Sequence, residues 1–181
     1  YAHADGTDPG TNRTEITAER WFQVSVPHDY IIGQTPNENE NNTLGYFHYH
    51  NAWYRKHFSL PKSDCGKRLT LLFEGVTGNA TVYLNGCLLK HNFCGFTPFE
   101  VDITDHVFWD KENVLAVYVD LSLIEGWWYA GGGIYRKVWL IKTNPVAIDL
   151  YGTFIAPQKA EKNWQVPVTA DVLNTDYEPH R

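Results

Sequence analysis

The sequence of 181 residues is short of several features that mark particular classes of protein. It has no run of the roughly 18 apolar residues that a membrane-spanning helix needs, so no membrane span is predicted. The net charge of −6 means that the chain has no excess of positive charge with which to bind a phosphate backbone, and this argues against a nucleic-acid partner. The three cysteines form no Cys-x-x-Cys pair, so we predict no zinc site, and we expect no other metal or cofactor. We interpret Cys65, Cys87 and Cys94 as free thiols.

Helical periodicity is also missing, because no apolar pattern with a period near 3.6 runs for the length of a helix before residue 144. Short apolar segments instead alternate with a period of two, as half-buried β-strands do. The Asn85-Gly86 pair between two of these segments predicts a tight hairpin. Residues 113–120 are apolar on both faces and should form a central strand. We therefore predict an all-β sandwich, with strands at 53–58, 69–76, 79–84, 87–89, 113–120 and 134–141.

Composition divides the chain into three parts. Residues 1–20 are polar, carry no signal-peptide pattern and are interpreted as a loose lead-in. Residues 21–143 should form one domain. A second unit is expected at 144–181, where strands are predicted at 146–150 and 164–174. Two strands cannot complete a sandwich, so we interpret the chain as a piece of a longer polypeptide.

The stretch at 125–140 carries the strongest functional signal. Its three consecutive glycines leave the backbone bare, so a ligand or another chain segment can approach it closely. The aromatic residues Trp127, Trp128 and Tyr129 cannot all face one core, because neighbours on an extended chain point to opposite sides. At least one should lie at the surface, where a flat ring suits the apolar face of a sugar or a partner domain. The alternative is a corner where the loop packs onto the sandwich.

Other polar residues are weaker candidates. His28 and Asp29 could form a dyad, but neighbours on an extended chain point apart, so a turn closed by the Asp29 side chain is the better interpretation. His48 and His50 share a strand face, but a metal site needs a third ligand that the sequence does not supply. The polar loop at 33–45 is longer than most and could carry function through its asparagines, which are Asn37, Asn39, Asn41 and Asn42.

Six motifs follow one another along residues 21–143. They are Pro27-His28-Asp29-Tyr30, Trp53-Tyr54-Arg55-Lys56-His57-Phe58, Phe73-Glu74-Gly75-Val76, Val82-Tyr83-Leu84-Asn85-Gly86, Gly95-Phe96-Thr97-Pro98-Phe99, and Gly126-Trp127-Trp128-Tyr129 followed by Gly133-Ile134-Tyr135-Arg136. In this order they resemble the N-terminal sugar-binding domain of glycoside hydrolase family 2, and the last motif is most similar to the bacterial β-galactosidases.

The resemblance implies a jelly-roll β-sandwich of the galactose-binding-domain-like type, followed by the first strands of a truncated immunoglobulin-like sandwich. It implies a non-catalytic domain that shapes one wall of the active site, because the family's catalytic glutamates lie on a downstream (β/α)8 barrel. The implied partners are carbohydrate, a β-galactoside above all, and the immunoglobulin-like and barrel domains of the same parent chain. The location stays open between a bacterial cytoplasm, a periplasm and the medium.

The resemblance also suggests roles for particular residues. Substrate binding is expected from Glu125, Trp127, Trp128 and Tyr129, and no catalytic residue is expected. In the family a polar residue near position 127 contacts the sugar, so Trp127 departs from that pattern and suits stacking instead. A structural role is expected for Asp29 and for Arg136, the latter through an ion pair. Two other functions stay open, namely an autonomous carbohydrate-binding module and a structural or interaction domain whose tryptophans pack against a partner.

Overall fold

The computed structural model describes residues 2–3, 21–123, 126–176 and 179. The chain separates into two compact units. The first contains Tyr1–Cys65 and Leu69–Ile141, and the second contains Gly66–Arg68 and Lys142–Arg181. Among the described residues no helix is long and apolar enough to span a membrane.

The first unit is built from two β-sheets. The strands are β1 (Ala2–His3), β2 (Ala52–Ser59), β3 (Arg68–Phe73), β4 (Asn79–Leu84), β5 (Cys87–Asn92), β6 (Phe99–Asp102), β7 (Glu112–Asp120) and β8 (Val138–Thr143). One sheet has the order β1-β2-β7-β4-β5 and the other β6-β3-β8. Helical structure in the described ranges is limited to short 3-10 turns at Asn42–Leu44, Lys62–Asp64 and Thr104–His106. The predicted all-β jelly-roll class is confirmed.

The core lies between the two sheets, because alternate residues of each strand face inward. From the larger sheet, Val82 of β4 and Val119 of β7 have no exposed surface. From the smaller sheet, Phe73 of β3 stacks on Phe99 of β6 with the ring centroids 4.9 Å apart. The strand predicted to be central is β7, which pairs with β2 on one side and β4 on the other. On the face away from the core its Tyr118 packs against Trp53 of β2, with the ring centroids 4.8 Å apart.

The Asn85-Gly86 hairpin forms as predicted. Asn85 has φ 52° and Gly86 has φ 84°, the left-handed conformations that a tight hairpin requires. The Asn85 amide also accepts a hydrogen bond from the Val114 N–H at 2.9 Å and so ties the turn to β7.

The predicted strand at 134–141 is wrong in its first half, since β8 begins only at Val138. The backbone before it pairs with loops rather than with a neighbouring strand. The His28 N–H donates to the Ile134 carbonyl at 2.7 Å, and the Thr77 N–H donates to the Gly133 carbonyl at 2.9 Å. Residues 21–26, which precede the Pro-His-Asp segment, also form no strand.

The second unit contains β9 (Val146–Ile155), β10 (Gln158–Lys159), β11 (Trp164–Gln165) and β12 (Val168–Asn174). β9 pairs antiparallel with β12, and β10 pairs antiparallel with β11. No described residue of this unit is buried. Its interpretation as the beginning of an immunoglobulin-like sandwich stays a prediction, as do the boundaries at 20 and 143. Of the proposed lead-in, residues 4–20 lie outside the described part of the chain.

Candidate functional site

The glycines at 131–133 are buried, and the groups that approach them belong to the chain itself. Gly131 has φ 73°, and a Cβ there would lie 2.6 Å from Asp29 Oδ2. Gly133 has φ 124°, and a Cβ there would lie 2.7 Å from the His28 carbonyl oxygen. The bare backbone predicted from the sequence therefore allows the Pro-His-Asp segment to pack closely against these glycines.

Asp29 is the polar centre of this approach. Its Oδ1 accepts hydrogen bonds from the N–H groups of Ile31 at 2.9 Å, Ile32 at 3.3 Å and Gly132 at 3.1 Å. Its Oδ2 accepts a hydrogen bond from the Tyr129 hydroxyl at 2.7 Å. One carboxylate thus closes the turn that follows it, as the sequence suggested, and joins that turn to the aromatic loop.

The neighbouring His28 side chain turns to a different partner. Its Nδ1 lies 2.8 Å from the Tyr54 hydroxyl, with the two rings in an edge-to-face arrangement. Burial lowers the pKa of His28, which favours the neutral imidazole. The geometry gives His28 a contact with the core tyrosine, while Asp29 faces the loop.

The three aromatic residues of the loop divide between surface and interior. The Trp127 side chain is 86% exposed and Trp128 is 61% exposed, whereas Tyr129 is half-buried. The Tyr129 ring meets Phe47 edge to face, with the centroids 5.5 Å apart. Burial, together with the hydrogen bond to Asp29, raises the pKa of Tyr129. The expectation that at least one ring lies at the surface is confirmed.

Two further hydrogen bonds hold the loop. The Tyr49 hydroxyl accepts a hydrogen bond from the Ala130 N–H at 3.2 Å, and burial raises the pKa of Tyr49. The Tyr30 N–H donates to the Gly132 carbonyl at 2.9 Å. Sequence reasoning missed Tyr49, because its position between two histidines gives no sign of a partner so far along the chain.

The other residues expected at the site fall in different places. Glu125 lies outside the described residues, so its expected role as a sugar ligand stays a prediction. Arg136 is exposed, and its guanidinium carbon lies 5.5 Å from the centroid of the Tyr135 ring. Among the described side chains no carboxylate forms an ion pair with Arg136, so the expected ion pair is not found there. The Tyr135 hydroxyl donates to the Gly95 carbonyl at 2.8 Å.

The loop at 33–45 uses two of its asparagines to hold its own shape. The side-chain oxygen of Asn37 accepts from the Asn39 N–H at 3.0 Å, and that of Asn41 accepts from the Thr43 N–H at 2.9 Å. Both contacts are side-chain-to-backbone turns. A role for any of these asparagines in sugar binding stays a prediction.

The two histidines that follow this loop do not lie in a strand. The rings of His48 and His50 stack with their centroids 5.7 Å apart, and His48 Nδ1 lies 2.9 Å from Glu40 Oε1. Among the described residues no group of three metal-ligating side chains occurs.

A cavity of about 1070 Å³ lies apart from the aromatic loop. It opens between the sheets along residues 21–26 and is lined mainly by apolar side chains such as Tyr54, Phe73 and Val117. The tryptophans of the loop do not contribute to it. Among the described residues that line it there is no Asp or Glu.

Comparisons with known proteins agree with this fold. Residues 14–128 match the family model described as "Glycosyl hydrolase 2 galactose-binding domain-like". A β-galactosidase of Bacteroides ovatus is 38% identical over 156 residues, which is 84% of this chain and 18% of that protein. A β-glucuronidase of Formosa agariphila is 33% identical over 184 residues, which is 85% of this chain and 18% of that protein.

Solved structures give the same result. A glycosyl hydrolase family 2 member from Bacteroides cellulosilyticus superposes with a TM-score of 0.85 at 31% identity, over 96% of this chain and 24% of that one. A β-glycosidase from Bacteroides vulgatus gives a TM-score of 0.86 at 29% identity, over 97% and 23% of the two chains. This chain therefore spans less than a quarter of the length of these relatives. It belongs to glycosyl hydrolase family 2 and corresponds to the N-terminal, galactose-binding-like domain of that family's enzymes.

Proposed function

We propose that this domain is the non-catalytic sugar-binding domain of a family 2 glycoside hydrolase of the β-galactosidase type, and that its aromatic loop forms one wall of the sugar site. The observation that carries the proposal is the exposure of Trp127 and Trp128, at 86% and 61%, on a loop whose neighbouring glycines are buried. Two adjacent indole rings facing water are costly in hydrophobic terms unless they have a ligand or a partner.

A sugar is a suitable ligand for such rings. The face of a pyranose that carries only C–H groups packs on a flat aromatic surface, while the hydroxyl groups around it need hydrogen bonds. An indole supplies the flat surface and one N–H donor. The loop therefore offers stacking and a donor, and further hydroxyl contacts would come from elsewhere in the parent enzyme.

Catalysis is assigned to another domain of the parent enzyme. Retaining glycosidases need two carboxyl groups roughly 5 Å apart, one as nucleophile and one as acid and base. The carboxylate that the described structure brings to the loop is Asp29, and both its oxygens already accept hydrogen bonds from the protein. The pure chain should not turn over a chromogenic β-galactoside, and measurable turnover would contradict a non-catalytic role.

Sugar binding is tested by tryptophan fluorescence of the chain titrated with galactose, lactose and glucuronate. A saturable change selective for the galactosides is expected, and Trp127→Ala should abolish it. The matched control is Trp164→Ala, because Trp164 is 66% exposed but belongs to the second unit. Equal loss of signal in both variants would count against a site at the loop. A response as strong in the chain alone as in the whole parent enzyme would instead favour an autonomous carbohydrate-binding module.

A second candidate is an interaction domain, and the same exposure favours it. In that case Trp127 and Trp128 would pack against another protein domain rather than a sugar. Sedimentation of the chain distinguishes the two functions. Self-association that disappears in Trp127→Ala, with no response to any sugar, would support the interaction domain and overturn sugar binding.

A further inference from the structure

We propose that Asp29 is a positioning residue for the aromatic loop and that it sets the orientation of Trp127 and Trp128 through Tyr129. This inference rests on the proposed function in one respect, since the tryptophans are taken to contact the sugar. The motif that contains Asp29 lies about a hundred residues before the loop, so nothing local to the loop supplies this contact.

The loop is attached to Asp29 at two points. Tyr129 directly follows Trp128, and its hydroxyl donates to Oδ2 of Asp29 at 2.7 Å. Three residues later the Gly132 N–H donates to Oδ1 of the same carboxylate at 3.1 Å. A carboxylate held at both oxygens clamps both ends of the segment from residue 129 to residue 132, so the backbone that directly follows Trp128 has little freedom to rotate.

The Asp29 carboxylate is itself held rigidly. Asp29 Oδ1 also accepts the N–H groups of Ile31 and Ile32, so rotation of the carboxylate would break bonds to four donors. Bonds to an ionised acceptor are stronger than those between neutral groups. At Gly131 a Cβ would lie 2.6 Å from Asp29 Oδ2, so only glycine leaves room for this approach.

A fixed loop should bind the sugar more tightly than a mobile one. Exposed side chains on a mobile loop must be ordered when a ligand arrives, and that ordering weakens binding. A loop held in place beforehand avoids the loss. Removing the Tyr129 hydroxyl, which donates to Asp29, should therefore weaken sugar binding by about tenfold.

The experiment reads out the tryptophans directly. The 181-residue chain is labelled with 5-fluorotryptophan, and the ¹⁹F resonances of Trp127 and Trp128 are assigned from the Trp127→Phe and Trp128→Phe variants. In Tyr129→Phe and in Asp29→Asn these two resonances should shift and change width. Those of the other five tryptophans should stay in place.

The matched control is Tyr135→Phe. It removes a phenol hydroxyl from the same stretch, but that hydroxyl bonds to the Gly95 carbonyl rather than to Asp29. Trp127 and Trp128 should keep their resonances in this variant. Urea unfolding of every variant shows whether the fold is intact, and Tyr129→Phe is mild enough to remain informative if Asp29→Asn does not fold.

The outcomes separate the inference from the proposed function. If Tyr129→Phe leaves the two resonances and the sugar affinity unchanged, the positioning role is overturned and sugar binding stands. If all seven tryptophan resonances move together, the effect is global, and the positioning role is again overturned. If the two resonances move selectively but Trp127→Ala binds sugar normally, the positioning role stands and the sugar-contact role of Trp127 fails.

Discussion

Asn113 has no exposed surface, and it organises the hairpin side of the sandwich. Its side-chain oxygen accepts from the Phe108 N–H at 2.7 Å and from Asn85 Nδ2 at 2.9 Å. Its own Nδ2 donates to the Phe108 carbonyl at 2.9 Å. A buried amide that satisfies these groups is hard to replace, because any partner left unpaired pays its full desolvation cost.

Asn113→Ala should therefore lower the free energy of unfolding by about 3 kcal/mol, since it leaves the Phe108 N–H without its acceptor and removes one of the two acceptors of Asn85 Nδ2. Urea unfolding followed by far-UV circular dichroism measures the change. The control is Asn39→Ala on the exposed loop, where a change within about 0.5 kcal/mol is expected. A loss below about 1 kcal/mol in Asn113→Ala would mean that water replaces the missing amide.

Ionisation of Tyr129 should lower the stability of the fold at alkaline pH. Its pKa in the folded chain is raised above the ordinary value of 10.0, by burial first and by the bond to Asp29 second. The folded state therefore keeps a proton that the unfolded state has lost. The stabilisation is complete below about pH 10 and declines as the pH rises further.

The measurement is the urea midpoint at about pH 8, 10 and 11 for the wild type and Tyr129→Phe. The decline above about pH 10 should be smaller in Tyr129→Phe. Some decline remains because burial also raises the pKa of Tyr49 and Tyr118. Identical pH dependence in the two proteins would show that Tyr129 ionises equally in the folded and unfolded states.

At the scale of structural elements, the glycine turn at 131–133 leaves little room for side chains. Gly133 combines a left-handed φ of 124° with a position where an added Cβ would meet the His28 carbonyl and the Tyr54 hydroxyl. A side chain there meets backbone, which cannot move aside without disturbing the bond between His28 and Ile134. The turn therefore requires glycine for two separate reasons.

Gly133→Ala should destabilise the fold by about 2–4 kcal/mol, from backbone strain and from overpacking against the Pro-His-Asp segment. Thermal unfolding provides the measurement. Gly33→Ala is the matched control, because Gly33 has no positive φ and nothing lies within 4 Å of an added Cβ. That variant should be neutral or slightly more stable. Similar losses in both variants would contradict the steric account.

At the scale of the whole molecule, burial is concentrated in one of the two units. All the buried hydrophobic residues of the described ranges lie in the first unit, whereas none of the described residues of the second is buried. A two-stranded ribbon such as β9 with β12 is marginal by itself, because it has too little apolar contact to offset the ordering of its backbone.

Amide hydrogen exchange should therefore differ sharply between the units. Residues of β2, β4 and β7 should exchange only through global unfolding, whereas β9 and β12 should exchange about a thousandfold faster or more. Mass spectrometry of peptides from the exchanged chain resolves the two regions. Equal protection in both would mean that the second unit gains its stability from contacts beyond its own ribbons.

The sequence was sufficient to predict most strands and one turn, and it failed where the backbone pairs with loops. β4 and the Asn85-Gly86 turn agree with the prediction, because side-chain alternation and left-handed φ are local properties. The strand expected from residue 134 begins four residues later, because the Gly133 and Ile134 carbonyls bond to distant loops. Period-two patterns cannot reveal which partner a backbone group will find.

By itself the sequence determined the all-β class, the family motifs and the need for an outward-facing ring in the aromatic loop. Each of these depends on neighbouring residues and on the two faces of an extended chain. Only the tertiary structure decided which rings face outward. It also decided that Asp29 holds Tyr129, its partner 100 residues along the chain, and Gly132, its partner 103 residues along. Such contacts arise from the folding of the two sheets onto one core, and no local pattern encodes which donors will meet one carboxylate.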